Sequence, residues 1–151
     1  MSGERDRVRI LVADDDIDDR MLIQDAFDES RLANPVDFVE DGVELMEYLN
    51  REGKYAELKG KDLPGIILLD LNMPRMDGRT ALEQIKANPE LHNIPVVILT
   101  TSKSEEDIIR TYGLGVNSFI TKPVTFDGLV DVVQAIKKYW IEIVALPVGI
   151  D

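Results

Sequence analysis

The sequence predicts an α/β fold: a five-stranded parallel sheet, open and doubly wound, with helices covering it. Five short apolar segments recur along the chain: "VRILVA" at 8–13, "PVDFV" at 35–39, "GIILLD" at 65–70, "IPVVILT" at 94–100 and "VNSFIT" at 116–121. Three of them are almost continuously aliphatic and β-branched, as suits parallel strands buried on both faces. Each is followed by a segment with helical spacing, and a parallel crossover needs a covering helix.

The crossovers follow in order. After the first strand, Met21, Ile23, Ala26 and Phe27 form an apolar stripe; Leu45, Met46 and Leu49 do so after the second, and Ala81, Leu82 and Ile85 after the third. Ile108, Ile109 and Tyr112 mark the fourth helix. Leu129, Val132, Val133 and Ile136 mark the fifth, with Asp127 placed to cap its start. Residues 51–63, "REGKYAELKGKDL", are polar and rich in Lys and Glu and read as a long surface loop between the second helix and the third strand. No repeat, low-complexity tract or linker interrupts the pattern, and 151 residues suffice for one domain with a proper core.

Charge narrows the function. With 17 basic and 29 acidic residues the net charge is −12, a field that repels nucleic acid and anionic membrane. There is no cysteine, which excludes disulfides and thiolate metal sites. No apolar run approaches the roughly 20 residues of a membrane span, and the polar start "MSGERDRVRI" lacks the apolar centre of a signal peptide. A cytoplasmic location is the expectation.

In an open α/β sheet, ligands bind at the carboxyl ends of the strands, near the point where strand order reverses. The residues that end each strand are therefore the informative ones. The first strand runs into "ADDDIDD" with Asp14 and Asp15 at the boundary, and the third ends in Asp70. The fourth ends in Thr100 and the fifth in Lys122, followed by Pro123. Gathered at one rim, these give three carboxylates, a hydroxyl and an ammonium group.

Carboxylates without His or Cys nearby suit a hard, oxygen-seeking cation such as Mg²⁺, which also neutralises an incoming phosphoryl group. A carboxylate can act as nucleophile and form an acyl phosphate, and Lys122 and Thr100 are then the expected phosphate partners. Singly, "DDDIDD" reads as a solvated acidic helix start, with Asp16, Asp18 and Asp19 as first-turn charges. A lone Asp after a strand is commonly a turn former. Capping does not explain why all of them occur together, each at the end of a different strand. His92, in "ELHNIP", reads as a solvated loop histidine.

Over about residues 7 to 140 the chain resembles the receiver domain of two-component response regulators, through "ILVADDD", "LLDLNMPRMDG", "VVILTTSKSEED" and "SFITKP". The spacing is similar too: Thr100 follows Asp70 by 30 residues, and Lys122 follows Thr100 by 22. The resemblance implies a flavodoxin-like, (βα)5 receiver fold, with Asp70 taking a phosphoryl group from a histidine of a partner kinase. Asp15 and Asp70 would ligate Mg²⁺ with the backbone carbonyl of Asn72, and Asp14 would help through water. Lys122 would contact the phosphoryl group, its bond to Pro123 being cis. Thr100 would move toward the phosphoryl oxygens and Phe119 would rotate inward behind it, altering the surface of the fourth helix, fifth strand and fifth helix. Such a protein is a phosphoacceptor that assists its own phosphorylation and dephosphorylation, not an enzyme.

The end of the chain, "YWIEIVALPVGID", carries Trp140, Ile141, Ile143, Val144 and Leu146, a dense apolar group for a terminus. It reads as a self-association patch, and a twofold homodimer is the expectation. The expected organisation is one receiver domain over 1–151, with 140–151 a C-terminal extension and no output domain. The loop at 51–63 and this ending resemble the small response regulators paired with phytochrome kinases of bacteria and cyanobacteria, which implies a bacteriophytochrome histidine kinase as partner. Two alternatives stay open: an intermediate receiver of a phosphorelay, and a pseudo-receiver that binds partners without phosphate.

Overall fold

The computed structural model describes residues 9–31, 34–71, 73–100, 118–121, 123 and 125–138. Strands β1 (Ile10–Ala13), β2 (Val36–Val39), β3 (Ile66–Asp70), β4 (Val96–Thr100) and β5 (Ser118–Thr121) form one sheet in the order β2-β1-β3-β4-β5. Every pairing is parallel. The helices are α1 (Ile17–Glu29), α2 (Gly42–Asn50), α3 (Gly78–Ala87) and α4 (Phe126–Ile136). Here α4 is the fifth helix expected from sequence; the fourth, around Ile108, Ile109 and Tyr112, falls outside the described residues.

Period-two alternation divides the sheet between two cores. Leu11, Ala13, Ile67, Leu69, Val96 and Ile98 meet Leu45, Met46 and Leu49 of α2 and Ala81, Leu82 and Ile85 of α3. The alternate residues Ile10, Val12, Ile66, Leu68, Val97 and Leu99 meet Ile23, Ala26 and Phe27 of α1 and Val133 and Ile136 of α4. Helices therefore cover both faces, which is why β1 and, up to Asp70, β3 are aliphatic throughout.

Three expectations need correction. Met21 is 60% exposed and does not join the α1 stripe; Ile17 and Leu22 are exposed with it. Helix α4 is capped by Thr125, whose hydroxyl accepts from the Gly128 amide at 3.0 Å, while Asp127 lies inside the first turn. Residues 51–63 lie at the surface as expected, most of them exposed, but not as a loop throughout, because Gly53–Leu58 forms a 3-10 helix. Tyr55 packs edge-on against Tyr48 with ring centroids 5.0 Å apart. Buried Arg51 lies over the Tyr48 ring and donates to the carbonyls of Tyr48 and Asp62 at 2.9 and 2.8 Å. Tyr and Arg carry polar ends on bodies that pack, so Arg51 and Tyr55 turn inward while most of the segment stays exposed.

The start of α2 is tied into the same region. Asp41 caps it, accepting from the Glu44 amide at 2.8 Å. Buried Glu44 accepts from Lys54 Nζ at 2.6 Å, from the Tyr55 hydroxyl at 2.7 Å and from the Glu40 amide at 2.7 Å. Burial alone would push its carboxyl up, but those donors outweigh burial and hold it below the ordinary 4.5. Gly42 faces the chain that follows β3: a Cβ there would lie 2.1 Å from the Met76 carbonyl oxygen.

Two outcomes follow for stability. Gly42→Ala should destabilise the fold by about 1–3 kcal/mol in urea denaturation, since a backbone carbonyl must move to admit the methyl. Because the folded-state pKa of Glu44 is depressed, its stabilisation is complete above the ordinary value of 4.5 and is lost as pH falls through the folded value. Glu44→Gln should therefore lower stability at neutral pH and flatten its decline on the acid side; an unchanged acid limb would contradict this.

Candidate functional site

Strand order reverses between β1 and β3, which opens a crevice outside their carboxyl ends. Register decides what reaches it. Ala13 pairs with Leu69, so the next residues, Asp14 and Asp70, stand side by side and continue the Ile10/Val12 and Ile66/Leu68 series. Asp14 is 0% and Asp70 4% exposed, whereas Asp15 is exposed. One carboxylate oxygen from each of Asp14, Asp15 and Asp70 lies within 4.8 Å of the others. These are the three carboxylates expected at one rim, and an all-carboxylate donor set fits a hard divalent cation.

The acidic run divides into two jobs. Asp14 Oδ1 accepts from the Asp16 amide at 3.0 Å, and the Asp14 carbonyl accepts from Arg20 at 2.7 Å. Asp16 is the N-cap of α1, its carboxylate accepting from the amides of Asp18 and Asp19 at 2.8 and 3.3 Å. Asp16 is thus engaged in capping, and Asp18 and Asp19 are first-turn charges that suit the helix dipole.

The chain leaving Asp70 is closely held. A Cβ on Gly78 would lie 2.5 Å from the Asp70 carbonyl oxygen, so glycine lets the start of α3 rest on the strand end. The Gly78 amide donates to the Leu71 carbonyl at 3.0 Å, and Asp77 caps α3 through the Thr80 amide at 2.8 Å.

Thr100 ends β4 one residue beyond Leu99, which pairs with Asp70, and its own backbone pairs with Thr121. Phe119 pairs with Ile98. The side chains of Thr100 and Phe119 lie outside the described set, as do Asn72, Lys122 with its Pro123 bond, and Trp140, Ile141, Ile143, Val144 and Leu146. His92 is exposed in a turn.

Sequence reading passed over Asp41 and Arg75. The Arg75 guanidinium donates through Nε and Nη2 to the two carboxylate oxygens of Asp41, at 2.8 and 3.0 Å. "DG" ahead of an apolar helix is a capping signal that marks Asp41. Arg75 has no such local signal, because its partner is 34 residues away.

Comparison with known proteins agrees with this geometry. The profile of the response regulator receiver domain matches residues 10–134. Response regulator Rcp1 of Synechocystis is 41% identical over 138 residues, covering 91% of this chain and 92% of that protein. The crystal structure of the phosphorylated cyanobacterial phytochrome response regulator RcpA superposes with a TM-score of 0.80 at 42% identity, covering 90% of this chain and 95% of the other. The Mn²⁺-bound form of Rcp1 superposes with a TM-score of 0.77 at 40% identity, covering 89% and 94%. Among the described residues no helix is long and apolar enough to cross a membrane. With Asp14 and Asp70 buried side by side at the switch point of the sheet, and the profile spanning all five strands, the chain belongs to the response regulator receiver domain family.

Proposed function

We propose that this protein is a phosphorylation switch that accepts a phosphoryl group on Asp70 from a phosphohistidine of a partner kinase. One observation carries the reading: a buried strand-end carboxylate lies beside two more, with oxygens within 4.8 Å, at the sheet's switch point. The related structures of phosphorylated RcpA and of Mn²⁺-bound Rcp1 support it. Asp15, Asp70 and the Asn72 carbonyl would hold Mg²⁺, with Asp14 acting through water. The cation supplies neutralisation of the phosphoryl oxygens.

The chain's own residues do the rest. An Asp70 carboxylate oxygen attacks phosphorus, and a P–O bond forms as the P–N bond to imidazole breaks. The imidazole leaves with the electron pair and takes a proton from solvent. Lys122 and Thr100 bind the transferred oxygens, which favour whichever arrangement brings Thr100 close and lets Phe119 turn inward. Moving such an equilibrium from 1:99 to 99:1 takes about 5.5 kcal/mol of differential interaction, and a charged, hydrogen-bonded phosphoryl group beside a lysine suits that scale. The chain acts as acceptor and assists its own phosphorylation and dephosphorylation. The likeness to phytochrome regulators favours a bacteriophytochrome kinase in the cytoplasm as donor, and a homodimer through the residues after α4 as the responsive assembly.

Radiolabelled acetyl phosphate should label the protein, and Asp70→Asn should abolish labelling. Chelation with EDTA should slow it by on the order of 10²-fold or more; labelling of Asp70→Asn, or an unchanged rate in EDTA, contradicts the reading. Deleting residues 140–151 should convert a sedimenting dimer to monomer, and a persistent dimer would remove Trp140, Ile141, Ile143, Val144 and Leu146 from the interface.

A further inference from the structure

The segment between Asp70 and α3 is held at a point that lies outside the acidic cluster. Arg75 has φ +64°, the left-handed region that residues with a Cβ seldom adopt. Its guanidinium makes the forked pair with Asp41, a geometry that fixes direction as well as distance. Asp41 is itself immobilised: it is buried and caps α2 through the Glu44 amide. Beside this pair the Gly42 amide donates to the Met76 carbonyl at 3.0 Å, and the Met76 amide donates to the Pro74 carbonyl at 2.7 Å. Leu71 and Met73, on either side of Asn72, are both buried. The segment that leaves the phosphoacceptor is thus pinned to the start of a different helix.

We propose that Asp41 and Arg75 are positioning residues that set divalent-cation affinity at the Asp14–Asp15–Asp70 cluster, an inference that rests on the metal-dependent phosphoacceptor reading. Among the described residues the chain between Asp70 and α3 joins no ladder, so the contacts at Arg75 and Met76 set how the chain leaves Asp70 and its carboxylate cluster. Groups that orient metal ligands without touching the metal characteristically change affinity by about 10–100-fold when removed. The strained φ at Arg75 is the second sign. Glycine would adopt +64° without penalty, so an arginine there carries a backbone cost that its fork with Asp41 can offset.

That last point supplies a clean variant. Arg75→Gly preserves the turn while removing the clamp, and Asp41→Asn keeps a good N-cap while losing the charged fork. Calorimetric Mg²⁺ titration should show affinity weakened about 10-fold in each, with the phosphorylation rate from acetyl phosphate at saturating Mg²⁺ within about twofold of wild type. Arg75→Lys should restore only part, because an ammonium cannot make the fork. In the metal-free protein, the Gly42 and Gly78 amides should exchange hydrogen faster in both clamp variants. Wild-type affinity for Mg²⁺ in Arg75→Gly and Asp41→Asn, even with lowered thermal stability, would overturn the clamp and leave the phosphoacceptor reading standing. Failure of the wild-type protein to bind Mg²⁺ at all would overturn the reading on which the clamp rests.

Discussion

Two carboxylates buried side by side are the constraint around which this structure is arranged. Asp14 and Asp70 have carboxylate oxygens no more than 4.8 Å apart, and like charges that close disfavour one another. A fold keeps such a pair only when its geometry gives the two groups no other place. Here the register of β1 against β3 makes them neighbours, and both strands are enclosed by helices on each face. The strands cannot rotate either carboxylate away without moving Val12 or Leu68 out of the core, and close-packed interiors resist such shifts.

The two sides of the site differ in how they are held. Asp14 follows β1 and Asp70 ends β3, central strands that are each paired on both sides. Among the described residues the segment after Asp70 joins no ladder and makes discrete contacts: Gly78 against the strand end, Gly42 against Met76, and the Asp41–Arg75 fork. The start of α2 is anchored in turn through Glu44, Lys54 and Tyr55. A chain of contacts therefore runs from the 3-10 helix at Gly53–Leu58 to the residues that follow Asp70.

Much of this was legible in sequence because it depends on local pattern. Aliphatic runs ending in acid gave the strand termini to within a residue or two, and topology then gathered Asp14, Asp15 and Asp70. What escaped was set by long-range partners or by amphipathic side chains. Met21 falls on an apolar spacing but is exposed, since a stripe does not define how wide the buried face will be. Thr125 took the capping role assigned to Asp127 because both are capping residues two positions apart. Arg51 and Tyr55 looked like solvated loop residues until their apolar bodies and distant hydrogen-bond partners were visible.

The central claim is that the clustered carboxylates oppose one another in the folded protein and are relieved by a divalent cation. Thermal denaturation with increasing Mg²⁺ tests it most directly, because a ligand that binds only the folded state stabilises it by RT ln(1 + [L]/Kd). The Tm should climb with the logarithm of Mg²⁺ concentration in the wild-type protein, and Asp14→Asn should start from a higher metal-free Tm with a weaker climb. A wild-type Tm indifferent to millimolar Mg²⁺, together with a lower metal-free Tm for Asp14→Asn, would contradict it.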